Sequence, residues 1–311
     1  MGPVSLLLPC FNAAKFLPAM ARFIQEQTEP FAEVIVYDDN SRDGSAELAK
    51  DLGFKVIIGR DNRGAAFARN RLLEVASAPW IHFHDVDDTI DKTFNAKLSP
   101  LLISPDYAAM CSIRWLDSDE KQSRIFRLRN AGTPTDWVKT FILCPFHLNC
   151  FIFPLQFLRS AGGFREDLRI AEDREFIIRL AVNGLKFRYL DEPLVEYVAR
   201  SDSTFARADD GLRWEQEREF FRSTFSILSP KHRQILGDYE LYRAWMNFWD
   251  GKTALAKNHS RIANELGFYY DSKTGPVGRA ISKRLGTLIY FSIKKLLAKS
   301  RTLFRGSQSD G

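Results

Sequence analysis

The stretch WIHFHDVDD, Trp80 to Asp88, runs an apolar strand straight into three acids, Asp85, Asp87 and Asp88. Carboxylates packed this closely repel one another, so their place at the end of a core strand needs a reason. Upstream, the pattern repeats. VSLLLP (Val4 to Pro9), AEVIVYDD (Ala32 to Asp39) and KVIIG (Lys55 to Gly59) each read as buried strands. Between them lie helical stretches: AAKFLPAMARFIQEQT, with Phe16, Met20, Phe23, Ile24 and Gln27 at helical spacing; RDGSAELAKDLG, with Ser41 placed as its N-cap and Gly53 closing it; and GAAFARNRLLEVAS. Strands that are apolar throughout, alternating with helices, predict an α/β fold: a mostly parallel sheet covered by helices on both faces. In such sheets ligands bind beyond the carboxyl ends of the strands. Those ends carry Pro9-Cys10-Phe11-Asn12, Asp38-Asp39-Asn40-Ser41 and Asp85-Val86-Asp87-Asp88, so the acids lie where ligands lie.

The chain has 311 residues, is 45% hydrophobic and carries a net charge of +5. From Lys273 onward, nine basic residues face only Asp310, which leaves the first 272 residues slightly acidic. That distribution argues against nucleic acid as a partner. Cys10, Cys111, Cys144 and Cys150 form no C-x-x-C pair, which disfavours a metal cage or a disulfide framework and fits a reducing cytoplasm. No signal peptide is expected, because VSLLLP is short and lacks a basic start. No membrane span is expected either: Leu285 to Ile293, the longest uncharged run of the apolar tail, is far shorter than the roughly 20 residues a spanning helix needs.

Past residue 100, YAAMCSIRW and LNCFIFP read as strands, and TDWVKTFIL and LQFLRSAGGF as helices. EDREFIIRLAVNG is an amphipathic helix stopped by Gly184, and KFRYLDEPLVEYV supplies two short strands. From about Phe205 the pattern is helical. The expected organisation is a first domain over residues 1–205, divided into halves 1–98 and 99–205, and a helical region over 206–311.

Each candidate site has a structural and a chemical reading. D-x-D-D can be a solvated turn, or it can offer oxygen ligands to a hard divalent cation. Asp38 and Asp39 can cap a turn, or accept from a nucleobase or ribose. Arg69 can sit on an exposed helix face, or reach a diphosphate from a helix that Gly64 opens. Glu172 and Asp173 can complement a helix dipole, or serve as a general base and its neighbour. No G-x-G-x-x-G or G-x-x-x-x-G-K-[ST] is present, which disfavours a dinucleotide site and a P-loop.

In order along the chain, VSLLLPCFN, VIVYDDNSRDGS, DNRGAAFARN, WIHFHDVDD, AGGF and AEDREFIIRLAVNG resemble the family 2 glycosyltransferases over about residues 3–205. The resemblance implies a GT-A fold and a metal-dependent, inverting transfer of sugar from a nucleotide-diphosphate sugar, UDP being the family's commonest nucleotide. It implies that Pro9 and Phe11 border the base, Phe11 by stacking, and that Asp39 accepts from the base with Asp38 beside it. Arg69 lies near the diphosphate and Asp85 near the ribose and metal. Asp87, with Asp85, is the protein ligand of Mg2+ or Mn2+, and Asp173 is the catalytic base with Glu172 beside it. The implied acceptor is a glycan or lipid-linked hydroxyl in polysaccharide or glycolipid assembly, entering near Trp115, His147 and Glu172.

Two positions depart from the family pattern. Phe11 stands where many relatives carry Tyr. In YVARSDST, Arg200 stands where many carry His, and it is expected to contact the diphosphate directly. His82 and His84 are expected to be structural. Two other classes fit the motifs less well. A non-catalytic GT-A scaffold would have lost the D-x-D or E-D acids, and a sugar nucleotidyltransferase needs a Gly-rich basic loop that PCFNAAKF does not supply. The tail GRAISKRLGTLIYFSIKKLLAKSRTLF reads as a basic amphipathic helix, either docked on an anionic membrane at its inner, cytoplasmic face or packed on the protein.

Overall fold

A computed structural model of the chain describes residues 2–117, 122–128, 134–200 and 208–295. Two compact units divide it, Met1–Phe220 and Phe221–Gly311.

In the first unit, β1 (Val4–Cys10), α1 (Leu17–Gln25), β2 (Glu33–Asp38), α2 (Ser45–Asp51), β3 (Lys55–Ile58), α3 (Ala65–Val75) and β4 (Trp80–Phe83) alternate as the apolar runs predict. β1 lies between β2 and β4 and is parallel to both, and β3 lies parallel outside β2. Leu6, Leu7 and Leu8 are fully buried, as a strand covered on both faces requires. Because successive strands leave β1 in opposite directions, their carboxyl ends open a crevice there.

The second half of this unit extends the sheet with mixed polarity. It contributes β5 (Thr89–Ile90), α4 (Phe94–Leu98), β6 (Tyr107–Leu116), β7 (Ser123–Phe126), α5 (Trp137–Leu143), β8 (Phe151–Pro154), α6 (Leu155–Ser160), α7 (Glu172–Val182) and β9 (Lys186–Val198). The strand order is β3-β2-β1-β4-β8-β6-β9-β5, with β7 on β6. β8 runs antiparallel to β4 and to β6, and β9 runs parallel to β6. Phe141, Phe151, Phe153, Phe176 and Phe187 are fully buried in this half. Phe141 and Phe187 meet edge to face at 4.7 Å, a geometry the ring quadrupole favours.

Two local expectations differ from the structure. Helix α2 begins at Ser45, after Gly44 at φ 82°, and not behind a Ser41 cap. Ser41 is spent elsewhere: its N–H donates to Asp38 Oδ1 at 2.9 Å and its Oγ accepts from Asn12 N at 2.8 Å. KFRYLDEPLVEYV is one strand, not two. Its register against β6 jumps from Cys111↔Leu190 to Ser112↔Pro193, so Asp191 and Glu192 form the break that reads as a turn.

The AGGF motif ties α6 to α3. Asn70 Oδ1 accepts from Phe164 N at 2.7 Å, and its Nδ2 donates to Phe164 O at 2.9 Å and Glu166 Oε1 at 3.0 Å. Gly163 has φ 70°, and a Cβ there would lie 2.5 Å from Asn70 Oδ1. Only glycine satisfies both the backbone and the approach. This clamp anchors the chain entering α7 on the helix that carries Arg69.

α8 (Asp210–Ile227) crosses the boundary between the units. The second unit contains α9 (Pro230–Trp249), α10 (Thr253–Glu265) and α11 (Pro276–Leu285), with residues 287–295 helical again. α9 and α10 share a buried pair, Glu240 Oε2 to His259 Nδ1 at 2.9 Å. The basic tail is not one helix: Gly286, at φ 96°, breaks it. Residues 296–311 of that tail, and Ser201 to Thr204 of YVARSDST, lie outside the described residues.

Candidate active site

The loops after β1 and β2 are laced together. Asn12 Oδ1 accepts from Arg42 N at 2.9 Å, and Ala13 N donates to Ser45 Oγ at 2.8 Å. The lacing leaves Phe11 46% exposed, a free face suited to stacking, with Pro9 beside it in β1. Asp38 and Asp39 are buried. Asp39 is braced by the entry to α3: it accepts from Arg63 N at 3.0 Å and Gly64 N at 2.7 Å. Burial pushes its carboxyl up against those hydrogen bonds. Asp38 Oδ2 has no hydrogen-bond partner among the described residues, so Asp38 as well as Asp39 has accepting capacity here.

Arg69 is not on an exposed helix face. It is 5% exposed, donating from one terminal nitrogen to Glu172 Oε1 at 2.7 Å and from the other to Asp85 Oδ1 at 3.0 Å. One guanidinium thus joins an acid of the β4 end to an acid that opens α7, two segments far apart in sequence. Burial pushes the Glu172 carboxyl up, to about 7, against Arg69. For Asp85 burial acts upward too, but Arg69, His147 and His84 hold it below the usual carboxylate range, so it stays ionised.

The acids of DVDD part company. Asp88 N donates to Asp85 O at 3.1 Å, closing a turn that directs Asp88 inward, where it is 3% exposed. Asn149 braces both acids. Its Nδ2 donates to Asp88 Oδ2 at 2.5 Å, and its Oδ1 accepts from Asp85 N at 3.2 Å. Burial, with Asp85 and Asp87 nearby, pushes the Asp88 carboxyl well up. Asp87 is paired with Arg200: Nε lies 3.4 Å from Oδ2, and the guanidinium also donates to Asp87 O at 3.1 Å. Burial and Asp85 push the Asp87 carboxyl up, with Arg200 opposing.

Asp85, Asp88 and His147 each place a ligand atom within 4.8 Å of the others. Asp88 Oδ1 and His147 Nδ1 are sealed without a hydrogen-bond partner among the described residues. Two carboxylates and an imidazole with unused lone pairs fit a divalent cation. Asp87, read from the sequence as the principal ligand, is not one of the three. His82 and His84 are fully buried, with His82 Nδ1 on Phe151 O at 2.8 Å.

Glu172 and Asp173 follow Ala171, which holds a left-handed backbone at φ 64°. Among the described residues, the non-glycine positions with positive φ are Asn12, Asn40 and Ala171. Each adjoins a candidate site segment, and strained backbone of this kind concentrates at functional sites. Asp173 is half-buried, accepts from Arg174 N at 2.7 Å and holds no salt bridge among the described residues. From His147 an aromatic row leads outward: Tyr197 at 4.9 Å, Trp115 a further 4.2 Å, then Phe126 at 5.7 Å, with Trp115 and Phe126 exposed.

A sheet with this order, its acids at one edge, and helices flanking it defines a GT-A fold. Solved structures agree. Staphylococcus aureus TarS 1–349 in complex with UDP-GlcNAc matches at TM-score 0.69 and 18% identity, over 96% of this chain and 92% of that one. The mannosyltransferase PcManGT from Pyrobaculum calidifontis, in complex with GDP-Man and Mn2+, matches at TM-score 0.59 and 20% identity, over 96% and 88%. Residues 5–158 match the model for Glycosyl transferase family 2, and the chain belongs to that family. The uncharacterized glycosyltransferase YibD of Escherichia coli (strain K12) is 26% identical over 222 residues, which cover 64% of this chain. The aligned stretch spans only 62% of YibD's own length.

Asn149 and Tyr197 were not singled out from the sequence. Asn149 carries no motif signal, being a single amide 61 positions from Asp88.

Proposed function

We propose that the chain transfers a sugar from a nucleoside-diphosphate sugar, with UDP as the first candidate nucleotide, to a hydroxyl of a glycan or lipid-linked acceptor in polysaccharide or glycolipid synthesis. The observation that carries this reading is Arg69, which joins Asp85 on the donor side to Glu172, next to Asp173.

In this reading Phe11 stacks on the base, with Pro9 bordering it, and Asp38 and Asp39 accept from its edge. Asp85 faces the ribose and the metal, and Arg200 faces the diphosphate. Asp87 and Asp85, at the acidic turn after β4, would hold Mg2+ or Mn2+, which would supply positive charge to offset the negative charge of the departing diphosphate. Asp173 acts as base, because Glu172 is committed to Arg69 while Asp173 holds no salt bridge among the described residues. Asp173 takes the proton of the acceptor hydroxyl as that oxygen bonds to the anomeric carbon. The bond from that carbon to the phosphate oxygen breaks on the opposite face, and its electron pair leaves with the nucleoside diphosphate. One displacement of this kind inverts the anomeric centre. The aromatic row from His147 to Phe126 offers an acceptor sugar apolar faces to stack on. Incubating the full chain with Mn2+, oligosaccharide acceptors and UDP- and GDP-sugars should release nucleoside diphosphate from at least one donor. The reading fails if none is released, and the inverting assignment fails if the product keeps the donor's anomeric configuration.

The second unit supports a peripheral place at the cytoplasmic face of an anionic membrane. Among the described residues no helix is long and apolar enough to cross a membrane. Val277, Leu285 and Ile289 are exposed near Lys283 and Arg284, while Phe291 is buried against Trp245 at 5.2 Å. Lys295 donates to Trp249 O at 2.8 Å, so one tail lysine caps α9. Removing residues 277–311 should abolish co-sedimentation with phosphatidylserine vesicles; unchanged sedimentation would discard membrane docking.

A further inference from the structure

We propose that α9 enters the headgroup layer of an anionic lipid bilayer with the face that carries Tyr242, Met246 and Trp249, and that Lys294 stands beside this face to meet lipid phosphates. Resting on the peripheral-membrane reading above, this names the surface that makes the contact. The three residues fall at i, i+4 and i+7 of α9, which places them in one narrow stripe along the helix. They are 59%, 39% and 42% exposed. From Tyr239 to Trp249 the only charged residues are Glu240 and Arg243. Glu240 is fully buried and Arg243 is paired with it at 3.2 Å, so neither interrupts the stripe. Apolar side chains exposed in an unbroken stripe, unlike scattered ones, mark an interaction surface.

Residue type and charge choose lipid as the occupant. Tryptophan and tyrosine concentrate where a membrane meets water, because each has an apolar ring and one polar group that can stay among the headgroups. Methionine is flexible enough to pack against an irregular apolar layer. From Phe221 to Gly311 the sequence holds sixteen basic and six acidic residues, a net charge of +10. The whole chain carries +5, so the first 220 residues carry −5. The second unit by itself is therefore attracted to a negatively charged surface. A second copy of the chain would bring the same +10 to the contact and be repelled.

Contacts within the unit set the lysines at the edge of the stripe. Buried Phe291 meets Trp245 at 5.2 Å and Phe248 at 6.0 Å, which lays residues 287–295 along the C-terminal half of α9. Lys294, on the exposed side of that segment, stands over the Trp245 ring at 5.0 Å and the Tyr290 ring at 5.8 Å. Its neighbour Lys295 lies over the Trp249 ring at 5.2 Å and donates to Trp249 O at 2.8 Å and Phe248 O at 3.3 Å. Lys295 therefore fixes the end of α9 under Trp249, and Lys294 is the cation placed for a lipid phosphate. Buried apolar area and basic charge together supply the two signals that stable attachment to a membrane surface requires.

The test sediments the full chain with phosphatidylcholine vesicles, with and without phosphatidylserine. It compares wild type, a Tyr242→Ser, Met246→Ser, Trp249→Ser triple variant, Lys294→Gln, Trp249→Phe, and an Ile58→Ser, Ile103→Ser control drawn from exposed sites of the first unit. Wild type and the control should bind the phosphatidylserine vesicles equally. The triple variant should bind about tenfold or more weakly, and Lys294→Gln about fivefold more weakly, the loss of one charge near the surface. Phosphatidylserine brominated in its acyl chains should quench wild-type tryptophan fluorescence, and most of that quenching should vanish in Trp249→Phe. Circular dichroism identifies any variant that fails to fold, and the quenching of Trp249→Phe decides the matter if the triple variant is lost. A wild type that ignores phosphatidylserine vesicles overturns the membrane reading and this surface with it. Wild-type binding that the triple variant retains, or quenching that Trp249→Phe retains, overturns the surface alone. Light scattering adds one further outcome: a wild-type dimer that the triple variant converts to monomer, with vesicle binding unchanged, gives the stripe to a second copy and overturns the proposal.

Discussion

Asp173→Asn is expected to lower sugar transfer about a thousandfold, inside the roughly hundred- to ten-thousandfold that a positioned general base contributes. The amide keeps the shape of the carboxylate and can still accept from Arg174 N, so the α7 entry should persist. What it cannot do is take the acceptor's proton. Donor affinity should stay within a few-fold of wild type, since Asp173 is assigned to the acceptor hydroxyl and not to the nucleotide. Single-turnover kinetics with a saturating donor would check this. Near-normal turnover would move the base elsewhere, and Glu172, pushed up to about 7 by burial, would become the alternative.

Arg69→Met is expected to cost stability as well as activity. The substitution keeps the apolar stem but leaves Glu172 and Asp85 without their shared cation. Breaking a buried ion pair from one side costs about 3–5 kcal/mol. The lower end is expected here, because the Asp85 side chain is 28% exposed and can recover some hydration. Adding Glu172→Gln to Arg69→Met should restore about half of the loss, since the more deeply buried of the two orphaned charges is then gone. Guanidinium unfolding of the three proteins would measure it. A single-variant loss below about 1 kcal/mol would mean that the triad is not structurally coupled.

The first four strands were legible because continuous apolar runs have few other uses, and their acidic ends followed from where parallel sheets bind ligands. Arg69 was only half legible. Sequence spacing places it on α3 but cannot say whether the helix face that carries it is covered, and the cover comes from Glu172, far along the chain. DVDD was legible as a cluster and not as individuals. A hydrogen-bonded turn, Asp88 N to Asp85 O, decides which acid goes inward, and D-x-D-D spacing does not encode that turn. His147 and Asn149 enter from a loop before β8, which only the antiparallel pairing of β8 with β4 brings beside the acids. Gly286 shows the opposite limit. A glycine inside an amphipathic pattern is tolerated often enough that the break became visible only through its φ of 96°.

The central claim is that the crevice at the ends of β1, β2 and β4 binds a nucleotide sugar. Thermal unfolding with Mn2+ across a panel of UDP- and GDP-sugars tests it most directly, on wild type and on an Asp38→Asn, Asp39→Asn double variant. At saturating ligand, about a hundredfold above Kd, one donor should raise the wild-type Tm by roughly 5 °C, and the double variant should lose that shift. A wild-type Tm that no nucleotide sugar moves, or a shift that survives in the double variant, would contradict the account.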